Sequence, residues 1–201
     1  MTTLDSALRG KLEHTVADAR EAAEGAAWAA LQRLGVTRAE PYAHMTHEEK
    51  SLRKWLRAKA REMDAPKLDT REDVRDLVEA CAYEHWHRML FARFLAENDL
   101  LVHPEYGVPL TIAECAELAA AEGEPDGWMV AARYAARMLP GIFRANDPLL
   151  SVPFAPDDRE RLEALLVALP SGVFTSEDGL GWVYQFWQTK RKKEINNAGG
   201  S

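Results

Sequence analysis

From Leu4 to Trp187 the apolar side chains of this chain recur at spacings of three and four, and nowhere do four or more residues alternate cleanly between apolar and polar. A strand needs that alternation to separate a buried face from a wet one, whereas a helix needs the longer period. The pattern therefore predicts an all-α fold, an irregular bundle of about seven helices joined by proline-rich connections.

The first stripe, Leu4, Leu8, Leu12 and Val16, continues through Ala19, Ala23, Ala27, Leu31 and Leu34. It predicts one long helix ending at Gly35. Its alanines bury little area each, so it should pack closely on a partner surface rather than found a core. Thr46 and Glu49 have the spacing of a capping box, in which each satisfies a free amide of the other. The helix they open should turn Leu52, Trp55, Leu56, Ala60 and Met63 to one side and its basic residues elsewhere, and Pro66 should close it. A third helix starts near Asp69–Asp73 and keeps period through Val74, Leu77, Cys81, Trp86, Leu90 and Leu95 until Asn98-Asp99. It is the most apolar segment and is expected at the centre.

A second capping box, Thr111 with Glu114, opens a short alanine-rich helix, and Pro125-Asp126-Gly127 leads into another ending at Pro140-Gly141. Four prolines between 140 and 156 read as irregular chain folded back over the bundle. Asp157-Asp158 opens a helix closed by Pro170, and the last helix begins near Ser176-Glu177-Asp178 and ends in a basic run. The organisation expected is an N-terminal helix over 1–40, a helical domain over 41–195 and a connection over 196–201.

With 47% apolar and 28% charged residues the chain can build a core. No apolar run approaches the roughly 18 residues of a membrane span, and Met1-Thr2-Thr3-Leu4-Asp5 lacks the order of a signal peptide. Cys81 and Cys115 lie in apolar helical patterns and read as two buried thiols in a reducing compartment. These features place the chain in the cytoplasm, with no membrane partner.

The net charge of −7 opposes a protein that coats nucleic acid unaided. The charge is uneven, however. Residues 50–67 carry seven basic side chains against two acidic ones, residues 105–127 carry six acidic and no basic ones, and 190–193 are all basic. Arg53, Lys54 and Arg57 sit on the first of these stretches, which is either a solvated face or a phosphate-tracking surface. Lys190, Arg191, Lys192 and Lys193 lie where cations are favoured by the terminal carbonyls of a helix, or where they would meet DNA or an adjoining domain.

Catalytic and metal patterns fail on spacing. His85 and His87 are two apart, which points the rings away from each other on a helix; one should pack inward and the other lie at the surface. His47-Glu48-Glu49-Lys50-Ser51 lacks the second His of a zinc-protease helix, there is no zinc-type cysteine pair, and neither a nucleophile elbow nor a phosphate-binding loop occurs. Gly179-Leu180-Gly181 follows no strand and is better explained as a loosened first helical turn. No catalytic, metal or cofactor-binding residue is assigned, and a free-standing hydrolase or metalloenzyme is disfavoured.

Two blocks carry a resemblance. Tyr83-Glu84-His85-Trp86-His87-Arg88-Met89-Leu90-Phe91-Ala92-Arg93-Phe94-Leu95-Ala96-Glu97-Asn98 resembles the aromatic helix in the N-terminal region of large bacterial adenine-specific DNA methyltransferases, including those of BREX-type phage defence. Leu180-Gly181-Trp182-Val183-Tyr184-Gln185-Phe186-Trp187-Gln188-Thr189-Lys190-Arg191-Lys192-Lys193-Glu194 is similar to that family's Gly-Trp-aromatic-Tyr-Gln-aromatic helix with its basic ending. Between them, Leu139-Pro140-Gly141-Ile142-Phe143 and Asp147-Pro148-Leu149-Leu150 resemble the intervening family stretch, so the likeness covers about residues 80–197 in order.

The resemblance implies a non-catalytic N-terminal domain of an S-adenosylmethionine-dependent enzyme of restriction-modification or phage defence. The cofactor loop and the Asn/Asp-Pro-Pro-Tyr motif that holds a flipped adenine are missing here and would lie in a downstream catalytic domain beyond Ser201. The implied partners are that domain and DNA, with Lys190, Arg191, Lys192, Lys193, Arg53, Lys54 and Arg57 as candidate DNA contacts. The alternative is a free-standing helical protein–protein interaction module.

Overall fold

The computed structural model describes residues 2–142, 144 and 146–198, with side chains inside the last helix described through Thr189. Among the described residues the fold is all-helical: α1 (Ser6–Arg33), α2 (His47–Glu62), α3 (Arg75–Glu97), α4 (Ile112–Glu122), α5 (Gly127–Met138), a 3-10 turn (Pro148–Ser151), α6 (Pro156–Ala168), α7 (Ser171–Thr175) and α8 (Gly179–Ala198). The one extended pairing among them is an isolated antiparallel bridge between Val102 and Pro109. None of these helices is long and apolar enough to cross a membrane.

Helices α1, α2, α4, α5 and α8 start where a side chain accepts a free amide, whereas α7 follows Pro170 without one. Asp5 Oδ1 accepts the Leu8 amide at 2.8 Å to cap α1. Thr46 and Glu49 form the expected reciprocal box at α2, and Thr111 and Glu114 repeat it at α4. Asp126 accepts the Met129 amide at 2.9 Å at the start of α5.

The ends of α1, α2, α3 and α4 share one geometry. Gly35, Asp64, Asp99 and Gly123 all have positive φ, between 57 and 70°. At each, the following amide reaches back to a carbonyl in the last turn: Val36 to Leu31, Ala65 to Ala60, Leu100 to Leu95 and Glu124 to Ala119, at 2.8–3.2 Å. These are paired terminal hydrogen bonds of the Schellman type. Two of the four left-handed positions are aspartates rather than glycines, a conformation that a short polar side chain tolerates.

The chain forms two compact units. The first comprises residues 1–20, 88–143 and 163–201. Its core includes Ala92, Leu95 and Ala96 of α3, Leu101 of the loop that follows, Cys115 and Ala119 of α4, and Val130, Ala131, Tyr134 and Ala135 of α5. Helices α4 and α5 approach so closely that a Cβ on Gly127 would lie 2.6 Å from the Ala116 amide nitrogen. Gly179 is equally constrained, because a Cβ there would overlap the Val173 carbonyl and the Ser176 hydroxyl oxygen. In Gly179-Leu180-Gly181 the first glycine is thus a steric accommodation at the start of α8, whereas a Cβ on Gly181 would meet nothing within 4 Å.

The second unit comprises residues 21–87 and 144–162. Four of the six alanines of α1 within it, Ala23, Ala26, Ala27 and Ala30, are 0–1% exposed, as are Leu56 and Ala60 of α2 and Leu77 and Cys81 of α3. The proline-rich stretch is more ordered than its composition suggested: Asp147 accepts the Leu149 amide, and the 3-10 turn buries Leu149. Helix α7 was not legible, since five residues cannot display a helical period.

A contrast between glycines tests the close packing of α4 and α5. Gly127→Ala should lower stability by about 1–3 kcal/mol through overpacking. Gly25→Ala, on an exposed face of α1 with nothing within 4 Å of the added carbon, should raise it by about 0.5–1 kcal/mol. Urea midpoints of the two variants should therefore move in opposite directions.

Candidate functional site

Helix α2 differs from its expected facing in one respect. Leu56 and Ala60 are buried as anticipated, but Trp55 and Leu52 are only half-buried and Arg53 is buried. The reason is the chain that leaves α1. Its carbonyls at Gly35, Val36, Arg38 and Ala39 continue past the helical hydrogen-bond ladder, and guanidinium groups from α2 satisfy them. Arg53 donates from Nε to Gly35 O at 3.0 Å and from Nη2 to Arg38 O at 2.6 Å and Ala39 O at 3.2 Å. Arg57 donates from Nη1 to Val36 O and Arg38 O, each at 2.6 Å.

A planar fork with several donors suits this task, and a lysine would not reproduce it. Burial, followed by the neighbouring cations Arg53 and Arg61, lowers the Arg57 pKa from its ordinary value. Of the three α2 candidates for DNA contact, Arg53 is thus turned inward onto main chain, Arg57 is half-buried with its Nη1 engaged, and Lys54 is exposed. The other four, Lys190, Arg191, Lys192 and Lys193, have side chains outside the described residues; their backbone lies within α8.

The residues of the aromatic block are placed on α3. His85 packs inward, stacked on Phe154 at 4.0 Å between centroids, with its Nε2 3.0 Å from the Leu149 carbonyl oxygen. His87 is half-buried and stacks on Tyr83, and burial lowers its pKa. Cys81 and Cys115 are free, buried thiols. Burial pushes Cys81 up to about 12 and Cys115 up to about 11, which removes the thiolate on which reactivity depends.

Arg93 is 8% exposed. It donates to the Leu166 carbonyl oxygen, pairs with Glu97 at 3.4 Å and lies over the Phe174 ring at 4.5 Å. Asn98 donates from Nδ2 to Phe94 O at 2.8 Å and to Phe174 O at 3.0 Å. In the first unit, therefore, the Arg-Phe-Leu-Ala-Glu-Asn end of the block fastens α3 to the segment carrying α6 and α7.

The block on α8 is also held by specific contacts. Asp178 accepts the Leu4 amide at 2.8 Å and the Trp182 indole N–H at 3.0 Å, and the first of these does most to hold its carboxyl below the usual range. Arg9 lies over the Trp182 ring at 4.7 Å. Arg20 donates to the Trp187 carbonyl oxygen and faces its ring. Sequence periodicity could not reveal these uses of Asp178, Arg20 and Arg93, because each depends on a residue more than 70 positions away or on a loop.

Two further features gather charged groups. An open cleft of about 280 Å³ in the first unit is lined by Arg93, Glu97, Thr111, Ile112, Trp128 and Val167, among others. Its two charged groups already pair with one another. In the second unit Glu84 lies near Asp147 and Arg144. Its pKa is raised, first by burial and then by Asp147, with Arg144 opposing. Among the described residues no three His, Cys, Asp or Glu side chains gather as metal ligands would.

Two variants test these assignments. Arg53→Ala should cost about 1–3 kcal/mol by taking its donor from the Ala39 carbonyl and one of two donors from each of Gly35 O and Arg38 O, whereas Lys54→Ala should stay within about 0.5 kcal/mol of wild type; thermal unfolding distinguishes them. For Glu84, a folded pKa above the ordinary 4.5 means that the ionised form weakens the native state at neutral pH. Glu84→Gln should therefore raise the urea midpoint at neutral pH, and the gain should fade as pH drops through the raised folded value toward 4.5, where the native carboxyl is itself protonated.

No protein-family model, curated protein or solved structure matches the chain.

Proposed function

We propose that this chain is the non-catalytic N-terminal helical domain of an S-adenosylmethionine-dependent DNA adenine methyltransferase serving restriction-modification or phage defence in the cytoplasm. The observation that carries the reading is the ordered pair of aromatic blocks on α3 and α8. In support, the matching side chains are tertiary anchors rather than loose surface groups: Arg93 and Asn98 bind main-chain carbonyls, while Trp182 and Trp187 are held by Asp178, Arg9 and Arg20. Residues that fix a fold tend to keep their identity and spacing, so a likeness concentrated in them suits a shared domain.

On this reading the cofactor and the target adenine are bound by a separate catalytic domain of the same polypeptide. The helical domain packs on it, and Lys190, Arg191, Lys192 and Lys193, in the second half of α8 rather than at its end, are the proposed contacts with that domain or the DNA. A second reading, a helical protein–protein interaction module, is favoured by one feature. Leu100, Tyr106 and Val108, clustered in sequence around the Val102–Pro109 bridge, are 48%, 70% and 49% exposed, and exposed apolar groups of this size mark contact surfaces when they adjoin.

The test is a comparison of N6-methyladenine across the genome of the organism that encodes the chain, before and after in-frame deletion of residues 1–195. Loss of methylation at one recurring DNA sequence is the expected result. An unchanged pattern of methylation would overturn the reading and leave the interaction module in its place.

A further inference from the structure

Helix α2 carries a row of four cations, three of which the fold does not use. Lys50, Lys54, Arg57 and Arg61 follow one another at spacings of four, three and four. At about 100° per residue they fall within an arc of about 60°, and at about 1.5 Å per residue the row is about 16 Å long. Lys50, Lys54 and Arg61 are exposed, and among the described residues none of them enters an ion pair or hydrogen bond through its side chain. Arg57 stands between them with its Nη1 given to carbonyls.

The acids of the same helix do not neutralise this row. Glu49 is committed to the capping box with Thr46, and Glu62 pairs with Lys59 at 3.5 Å. Glu48 projects toward the other side of the helix, about 160° from Lys50. Like charges one turn apart repel, so the row weakens the helix that bears it. In a chain with 32 acidic and 25 basic residues, such a concentration of one sign sets up a local field opposite to the average.

We propose that this row, Lys50, Lys54 and Arg61 with Arg57 between them, is a docking strip for the phosphate backbone of duplex DNA. A straight array of cations complements a straight polyanion carrying a phosphate every ~1.7 Å of axis. The strip holds no base-reading geometry, so contact through it is independent of sequence and serves to position the protein. A membrane surface fits less well. A helix that lies on lipid must offer an apolar face, and the apolar side of α2 is shut inside the second unit, with Leu56 at 0% and Ala60 at 1% exposure. The choice of DNA among linear polyphosphates rests on the function proposed above; the strip's attraction for such a polymer does not.

The experiment uses the whole chain and a labelled short duplex of arbitrary sequence, followed by fluorescence anisotropy between ~50 and ~200 mM salt. The variant Lys50→Ala/Lys54→Ala/Arg61→Ala leaves the structural Arg53 and Arg57 in place, and circular dichroism confirms that it folds. Removing three phosphate contacts should weaken binding at least tenfold at the low-salt end and lower the slope of log affinity against log salt by about 2–3. A Lys50→Arg/Lys54→Arg variant should bind like wild type, and a scrambled duplex should bind as well as the original. Equal affinity and slope for wild type and the triple variant would overturn the proposal. So would a wild-type chain that ignores duplex DNA yet binds vesicles rich in phosphatidylserine. DNA binding through this strip in a protein whose deletion leaves the genome's methylation unchanged would keep this inference and remove the previous one.

Discussion

An α-helix ends in carbonyls that its own backbone cannot satisfy, and in an all-helical chain no sheet edge is at hand to take them. Here arginine side chains meet that need repeatedly. Arg53 and Arg57 serve the carbonyls following α1, Arg93 reaches Leu166 in the last turn of α6, and Arg133 takes the Glu122 carbonyl at the end of α4 while pairing with Glu122 and Glu124. The guanidinium group carries five donors in a rigid plane and stays charged despite burial. One side chain can therefore fasten several carbonyls that belong to a turn rather than to a regular ladder.

This use of arginine changes how the charge of the chain should be counted. Seven basic residues between 50 and 67 looked like one positive patch, but they divide by task. Arg53 and Arg57 hold main chain, and Lys59 pairs with Glu62. Lys50, Lys54, Arg61 and Lys67 remain as exposed charge. A patch defined by composition overstates the positive surface, since desolvating a guanidinium is repaid only where it finds hydrogen-bond acceptors. The same division explains why Arg53 is buried on α2 along with Leu56 and Ala60: its head reaches the carbonyls beyond α1.

The helices other than α7 were legible because the chain marks their starts plainly. Two capping boxes, Thr46 with Glu49 and Thr111 with Glu114, have a fixed spacing and form as expected. Gly35 and Gly123 mark ends through their freedom at positive φ. Asp64 and Asp99 take up the same left-handed conformation without that signal, so the ends of α2 and α3 could be sensed only from the proline or asparagine nearby. The pair His85 and His87 followed simple geometry, with one ring buried against Phe154 and the other half-buried on Tyr83. What the sequence hid was long-range: Arg20 on the Trp187 carbonyl, Arg93 on that of Leu166, and Asp178 on the Leu4 amide join residues 167, 73 and 174 positions apart. Periodicity reports on one helix at a time and contains no information about such partners.

The same distinction governs how function can be sought. The aromatic blocks that carry the family resemblance turn out to be occupied by scaffolding: Arg93 and Asn98 tie α3 to Leu166 and Phe174, while Asp178, Arg9 and Arg20 seat the tryptophans of α8. A residue whose donors are already filled has little left to offer a ligand, because displacing its partner would leave a buried group unsatisfied. Such blocks support a proposal about ancestry and fold. A proposal about contact has to rest on groups that the fold leaves unfilled, which is why the exposed cations of α2 carry it and the buried arginine at their side does not.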